Sequence, residues 1–126
     1  MEIRARDAAV PFTTADGSTI RSLLDLSVAP VENQSLAEAE LAPGAATTRH
    51  FHRASEELYY LVAGTGLMEI DGDAREVGPG DAILIPPGAW HQIRATGEEA
   101  LRFLCCCAPP YRDSDTFLET PSGDGD

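Results

Sequence analysis

The chain has 126 residues, which is enough for one domain with a single hydrophobic core. Acidic residues number 21 against nine basic residues, all of them arginine, and the formal net charge is −12. Because such an acidic surface repels phosphate groups and anionic lipids, we expect neither a nucleic-acid partner nor a membrane partner.

The N-terminus and the cysteines narrow the class of protein further. Residues 1–7 carry arginines with no apolar run behind them, so we expect no secretory signal and a cytoplasmic location. The three cysteines are consecutive, Cys105, Cys106 and Cys107, and the chain has no second cluster to pair with them. This arrangement argues against a disulfide framework and against a paired-cysteine zinc site.

The first predicted strands differ in how their apolar residues are arranged. Apolar and polar residues alternate in residues 20–28 and 34–41, which predicts strands with one buried face. Residues 58–63 and 82–85 are nearly continuous apolar runs, which predicts central strands buried on both faces.

A hairpin and a late strand follow. Residues 68–70 and 75–77 flank Asp71-Gly72-Asp73, a sequence typical of a tight turn between antiparallel strands. Residues 101–108 form the last predicted strand. Short strands between frequent turns, with no capped amphipathic helix, predict an all-β antiparallel sandwich or barrel.

The composition changes towards the C-terminus. Acidic residues recur there, and residues 121–126 combine aspartate and glycine with no aromatic residue. We therefore predict one barrel domain over residues 1–112, including its N-terminal strands, and an acidic, partly disordered tail over residues 113–126.

The three histidines have a spacing that suits a metal site. His50 and His52 are two residues apart, so on a strand both side chains point to the same face. Glu57 and His91 complete a set of three imidazoles and one carboxylate, which suits a divalent transition metal such as Fe, Mn, Ni, Zn, Cu or Co. In six-coordinate geometry two adjacent positions stay open, as catalysis requires.

A pair of histidines in a strand is by itself more often structural than metal-binding, so the residues around it matter. Glycines and prolines frame the histidines in two blocks, Gly44-x5-His50-x-His52-x4-Glu57-x6-Gly64 and Gly80-x5-Pro86-x-Gly88-x2-His91. These blocks resemble the paired motifs of the cupin superfamily, in its compact single-domain bacterial form with a cupin 2 barrel. The second motif lacks its terminal asparagine, because Ala95 stands at that position.

The resemblance implies a small antiparallel jelly-roll β-barrel in a single domain. It also implies a divalent metal inside the barrel, held by His50, His52, Glu57 and His91, and no other cofactor. Family members of this size are commonly homodimers, and we expect the strand predicted at residues 20–28 to pair across the interface and cover an exposed edge.

Two residues near the predicted ligands are candidates for catalysis. Glu57 could act as a base, and Tyr59 shares its parity on the strand, so its hydroxyl could donate a hydrogen bond to a substrate. Packing inside the barrel is the favoured alternative for Tyr59. Parity also predicts that Cys105 and Cys107 face inward and Cys106 outward, with no chemistry required of them.

Fold and metal do not define a reaction, so three function classes remain. The leading hypothesis is a metal-dependent enzyme acting on a small organic molecule, with a dioxygenase as the leading subclass. A metal-dependent sugar isomerase or a cyclase is the second possibility, and the third is a small-molecule or metal binding module without turnover.

Overall fold

Two antiparallel β-sheets make up the fold of residues 1–120, which are the residues that a computed structural model of the chain describes. The strands are β1 (Phe12–Thr13), β2 (Thr19–Leu24), β3 (Ser35–Leu41), β4 (His50–His52), β5 (Glu56–Ala63), β6 (Gly66–Ile70), β7 (Asp73–Val77), β8 (Ala82–Ile85), β9 (His91–Ala95), β10 (Leu101–Ala108) and β11 (Thr116–Leu118). Short 3₁₀ turns at Arg6–Ala8 and Asp113–Asp115 supply the helical part of the described chain. None of the described helices has the length and apolar character needed to cross a membrane.

The first sheet has the strand order β1-β2-β3-β10-β5-β8, and the second has the order β11-β4-β9-β6-β7. Leu61 and Phe103 of the first sheet share one buried cluster with Met68 and Ile93 of the second. The two inner faces therefore form one core, as the predicted jelly-roll barrel requires, and the all-β prediction is confirmed.

The predicted hairpin is confirmed. In the β6–β7 pairing Ile70 lies opposite Asp73, so the connection is the two residues Asp71 and Gly72. Their φ angles are +48° and +91°, the left-handed values that a type I′ turn needs at both central positions.

The predicted burial of residues 58–63 and 82–85 on both faces is wrong. Leu58, Tyr60 and Leu84 are 48%, 47% and 55% exposed, so the outer face of β5 and β8 is open to solvent. Strand β8 lies at the edge of that sheet and pairs with β5 alone. Because these strands carry apolar residues on the exposed face as well as on the buried face, their sequences resemble those of strands buried on both faces.

The predicted strand at residues 20–28 is shorter than expected. Strand β2 ends at Leu24, and the amides of Val28 and Ala29 then bond back to the carbonyl of Asp25 in a turn. Strand β2 lies between β1 and β3, and β1 pairs with Thr19 and Ile20 of β2, so the pairing of this segment with a second copy stays a prediction.

The barrel continues past residue 112, where we placed its end. Strand β11 pairs with β4, with Phe117 opposite Phe51, and their rings stack at 5.1 Å. The carboxylate of Asp115 accepts hydrogen bonds from the amides of Ala54 and Ser55 at 2.9 and 3.1 Å. Residues 116–118 are thus part of the second sheet and the turn at 113–115 is bonded to it, while the last six residues of the predicted tail, 121–126, lie outside the described residues.

Candidate metal centre

Three strands bring the predicted ligands together inside the barrel. His50 and His52 flank Phe51 on β4, and both imidazoles are buried while the Phe51 ring packs against Trp90 at 4.7 Å. His91 opens β9 directly opposite His50. Glu57 lies on β5 of the facing sheet and is 4% exposed. Strand alternation therefore puts all four side chains in the interior.

The three imidazoles lie close enough to share one ion, and Glu57 lies beside two of them. One ring nitrogen of each of His50, His52 and His91 lies within 4.8 Å of the others. Glu57 Oε1 lies 3.1 Å from His52 Nε2 and 3.6 Å from His91 Nε2. The sequence assigned these residues to one site, and the structure brings all of them together.

Backbone carbonyls orient two of the three rings. Nδ1 of His50 lies 2.6 Å from the carbonyl oxygen of Thr48, and Nδ1 of His91 lies 3.0 Å from that of Ala89. Because a carbonyl can only accept, Nδ1 must carry the proton in both rings. In the neutral ring the lone pair is then on Nε2, which faces the other ligands.

A threonine hydroxyl orients the third ring. The Thr116 hydroxyl donates its single proton to the carbonyl oxygen of Arg112 at 3.0 Å, so it can only accept from His52 Nδ1, also at 3.0 Å. His52 Nδ1 therefore also carries a proton, and its Nε2 lies 3.1 Å from Glu57 Oε1. Thr116 is on β11, in the segment predicted to be tail, so sequence reasoning missed it.

The chemistry of the site fits a metal ion. Nε2 of His91 is buried and has no hydrogen-bond partner among the described residues. An unpaired nitrogen lone pair costs free energy when buried, and a cation at the centre of the cluster would remove that cost. Nitrogen donors with one carboxylate suit a divalent transition metal.

Charge interactions keep the carboxylate ionised. Burial alone would raise the pKa of Glu57, but its contacts with the His52 and His91 imidazoles outweigh burial and lower the pKa to about 2. Burial lowers the pKa of His50, and the neighbouring His91 lowers it further. For His52 the hydrogen bond and charge of Glu57 outweigh burial and raise the pKa. The site is thus one anionic ligand among imidazoles.

Tyr59 lies next to the cluster. It is buried, its ring packs on Phe103 at 4.6 Å and lies 6.1 Å from the His91 ring, and burial raises its pKa well above the ordinary value. A hydroxyl held in the protonated form can donate a hydrogen bond and cannot serve as a base at neutral pH. These contacts therefore support the packing role of Tyr59, and its role as a hydrogen-bond donor to a substrate stays a prediction.

The cysteines of β10 follow the predicted parity. Cys105 and Cys107 line the interior cavity, and Cys107 Sγ donates to Glu57 Oε2 at 3.3 Å. Cys106 points to the other face, where its Sγ lies 4.0 Å from Gln34 Oε1. Burial raises the pKa of both inner thiols, so they stay protonated at neutral pH and are weak nucleophiles.

A cavity of about 740 Å³ opens onto the cluster. His50, His52 and Glu57 form part of its wall, so a ligand inside would lie against the candidate metal position. Asp16, which precedes β2, also lines this cavity, with Oδ2 3.8 Å from His50 Nε2. Sequence reasoning missed Asp16, because an Asp-Gly-Ser turn 34 residues before His50 carries no signal of proximity.

Ala95 has a structural role in place of the family's asparagine. Its side chain is buried in the core, its amide donates to the carbonyl of Ala45, and its carbonyl accepts from the amide of Gly44. The alanine thus leaves the segment before β4 attached to β9 through the backbone.

Three comparisons with known proteins agree on the family. The profile of the cupin domain matches residues 37–107. Protein MJ1618 of Methanocaldococcus jannaschii, described as uncharacterized, is 46% identical over 112 residues, which cover 89% of this chain and 90% of that protein. The 5-nitrosalicylic acid 1,2-dioxygenase of a Bradyrhizobium species is 39% identical over 57 residues, which cover 45% of this chain and 27% of the enzyme.

The structure of the polyketide cyclase RemF from Streptomyces resistomycificus superposes with a TM-score of 0.80. The two sequences are 27% identical, and the match covers 98% of this chain and 89% of RemF. The profile match spans more than half of the chain and contains all four residues of the candidate metal centre. The chain therefore belongs to the cupin family.

Proposed function

We propose that the protein is a metal-dependent enzyme that acts on a small organic molecule with chelating oxygen atoms. The observation that carries this proposal is the cluster of three buried imidazoles with Glu57 beside His52 and His91, and with His91 Nε2 left unpaired among the described residues. A bound divalent metal would supply Lewis-acid chemistry by polarising carbonyl or hydroxyl oxygens of the substrate.

The chain's own residues would hold and surround the reacting groups. His50, His52 and His91 would present neutral nitrogen donors fixed by their Nδ1 partners, and Glu57 would compensate part of the positive charge. Tyr59 would contribute a protonated hydroxyl to the cavity wall. The cavity would bury a substrate of drug-like size and exclude most of the surrounding water.

Two reaction types are supported by different comparisons. The likeness to a polyketide cyclase extends over nearly the whole chain and favours Lewis-acid and proton-transfer chemistry on a carbonyl compound. The likeness to a salicylate-type dioxygenase is higher in identity but spans about a quarter of that enzyme, and it favours ring oxygenation. We keep the two as alternatives for one metal site.

Metal content tests the proposal directly. Wild-type protein purified without added metal should contain a transition metal in nearly stoichiometric amount by mass spectrometry, and His91→Ala should lose it. Glu57→Gln should weaken binding, whereas Glu56→Gln should not, because Glu56 is the neighbouring exposed carboxylate on the outer face of the same strand. A wild-type protein that stays metal-free after reconstitution would overturn the proposal.

Oxygen consumption distinguishes the reaction types. Metal-loaded protein is mixed with hydroxylated aromatic compounds and with diketones, while dissolved oxygen and products are followed together. Product with stoichiometric oxygen uptake indicates the dioxygenase, and product without uptake indicates cyclase or isomerase chemistry. Tight binding of these compounds with no turnover would leave a binding module and contradict the enzyme.

We also propose that two copies associate, as family resemblance implies. Support comes from the outer face of the first sheet, where Leu58, Tyr60 and Leu84 are exposed side by side on β5 and β8. Light scattering should give twice the chain mass of 13.4 kDa, and Leu84→Glu should shift the protein towards the monomer. A monomeric wild type at working concentration would contradict association.

A further inference from the structure

The turn between β1 and β2 places a carboxylate beside the imidazole cluster. The amide of Thr14 bonds to the carbonyl of Ser18, and the amide of Gly17, at φ +92°, bonds to the carbonyl of Thr14. The carbonyl of Asp16 accepts the amide of Thr48 at 2.7 Å, two residues before His50. The turn is thus fixed to the segment that leads into β4.

One oxygen of Asp16 is saturated by the turn itself. Oδ1 accepts hydrogen bonds from the Thr14 hydroxyl at 2.7 Å, the Ser18 hydroxyl at 2.7 Å and the Ser18 amide at 2.9 Å. Three donors on one oxygen fix the plane of the carboxylate. The direction of the second oxygen is therefore set before any ligand arrives.

That second oxygen faces the cavity. Oδ2 lies 3.8 Å from His50 Nε2, which is beyond hydrogen-bond distance, and none of the hydrogen bonds within residues 1–120 involves it. The side chain is only 18% exposed, and Asp16 belongs to the same cavity wall as His50, His52 and Glu57. Asp16 Oδ2 is thus a fixed hydrogen-bond acceptor next to the candidate metal position, and it can accept a hydrogen bond from a donor group on a ligand.

The charge of the cavity wall narrows the ligand class. Its lining includes four carboxylates, on Asp16, Asp25, Glu57 and Asp113, and Arg112 is the one arginine among the described lining residues. Arg112 is exposed. Such a wall disfavours substrates with several negative charges and favours uncharged substrates with hydroxyl donors.

We propose that Asp16 Oδ2 accepts a hydrogen bond from a hydroxyl group of the substrate, so that the site selects uncharged, hydroxyl-bearing chelators over dicarboxylates. This inference rests on the proposed metal-dependent function. Asp16 is then a substrate-contacting residue that orients a chelating ligand against the His50 side of the site.

Asp81 provides a control for the turn-forming role of Asp16. Its Oδ2 accepts a hydrogen bond from the amide of Gly78 at 2.8 Å, and it is not among the residues that line the cavity. A purely structural carboxylate should therefore behave like Asp81.

The experiment measures binding of dihydroxyacetone, an uncharged hydroxyketone, and of oxalate to metal-loaded full-length protein by calorimetry. In Asp16→Asn the oxygen must still serve the three turn donors, so the amide NH₂ would take the place of Oδ2 and present a donor to the ligand. We expect the Kd of dihydroxyacetone to rise about tenfold or more in Asp16→Asn, as for loss of a hydrogen bond to a charged group, and less than about twofold in Asp81→Asn. Oxalate binding should be unchanged or tighter in Asp16→Asn.

Metal content and melting temperature of each variant separate the possible failures. Loss of metal from the wild type would contradict the proposed function itself. Full metal content with equal dihydroxyacetone affinity in wild type and Asp16→Asn would overturn the role of Asp16 alone. An equal loss for dihydroxyacetone and oxalate would also overturn it, because that result indicates general damage to the site. Should Asp16→Asn not fold, wild-type binding of oxalate as tight as that of dihydroxyacetone would contradict the proposed selectivity.

Discussion

Each imidazole of the candidate metal centre forms a hydrogen bond through Nδ1 to one oxygen atom. Carbonyls of Thr48 and Ala89 serve His50 and His91, and the Thr116 hydroxyl serves His52. These partners place the proton on Nδ1 and leave Nε2 for the interior. The hydroxyl is the one partner of the three that a side-chain substitution can remove.

Replacing Thr116 should therefore weaken metal binding without touching a ligand. Thr116→Val removes the acceptor for His52 Nδ1 while keeping nearly the same shape, and we expect metal affinity to fall about 10- to 100-fold. Thr116→Ser should restore most of it, and the exposed Thr65→Val is the control for a lost threonine hydroxyl. Competition with a chelating dye measures the affinity, and an unchanged Thr116→Val would contradict the orienting role.

A second residue-scale prediction concerns acid stability. Glu69 accepts two hydrogen bonds from the Arg49 guanidinium, at 2.8 and 3.1 Å, and this contact lowers the pKa of Glu69 although partial burial opposes it. Because the folded-state pKa is below the ordinary value of about 4.3, the contribution is complete above that pH and is lost as the pH falls through the lowered value.

We expect Glu69→Gln to reduce the free energy of unfolding by about 1 kcal/mol at pH 7, since the pair is only partly buried. The difference from wild type should shrink as the pH falls below about 4. Denaturant titrations at several pH values measure it, with the exposed Glu76→Gln on β7 as the control. A difference that is independent of pH would contradict the role of charge.

At the scale of elements, turns were easier to predict than burial. Asp71-Gly72 has a local signature for a two-residue hairpin, and the structure contains that hairpin. The apolar runs in β5 and β8 have no local feature that distinguishes a central strand from one with an exposed outer face. Which face is covered depends on the neighbouring segments, and these are far apart in sequence.

Two glycines with positive φ should respond differently to a methyl group. A Cβ on Gly64, which precedes β6, would lie 2.5 Å from the carbonyl oxygen of Ala100 and 2.8 Å from Leu101 Cα, whereas a Cβ on Gly72 would meet no atom within 4 Å. We expect Gly64→Ala to cost about 3 kcal/mol or more, and Gly72→Ala about 1–2 kcal/mol from backbone strain alone. Denaturant unfolding measures both values, and equal costs would contradict the steric explanation.

At the scale of the whole molecule, one core joins the two sheets next to the cavity. Leu61 and Phe103 of the first sheet and Ile93 of the second are essentially inaccessible to solvent. Their packing fixes the separation of the sheets, and this separation sets the distance between Glu57 on β5 and the histidines on β4 and β9. Stability and site geometry therefore depend on the same contacts.

Leu61→Ala should accordingly affect both properties. We expect a loss of about 2–5 kcal/mol in the free energy of unfolding, as for other large-to-small substitutions in cores. Leu67→Ala, on the outward and 38% exposed position of β6, should cost less than about 0.5 kcal/mol. Denaturant titrations measure the free energy of unfolding of the two variants, and mass spectrometry measures their metal content. Similar losses in the two variants would contradict the assignment of the core.

The sequence by itself determined the fold class, the family and the four candidate ligands. It could do so because glycine, proline and histidine at fixed spacings report local backbone geometry and strand parity, which act over a few residues. The β6–β7 hairpin and the inward direction of Cys105 and Cys107 were predictable for the same reason.

Only the tertiary structure decided what surrounds those ligands. Thr116 reaches His52 from 64 residues away, and Asp16 approaches His50 from a turn before β2. The end of the barrel was misplaced because β11 is held by pairing with β4, a contact with no local sequence pattern. Contacts between distant segments depend on the packing of both sheets, so the parts of the site that orient a ligand became visible only once the barrel was assembled.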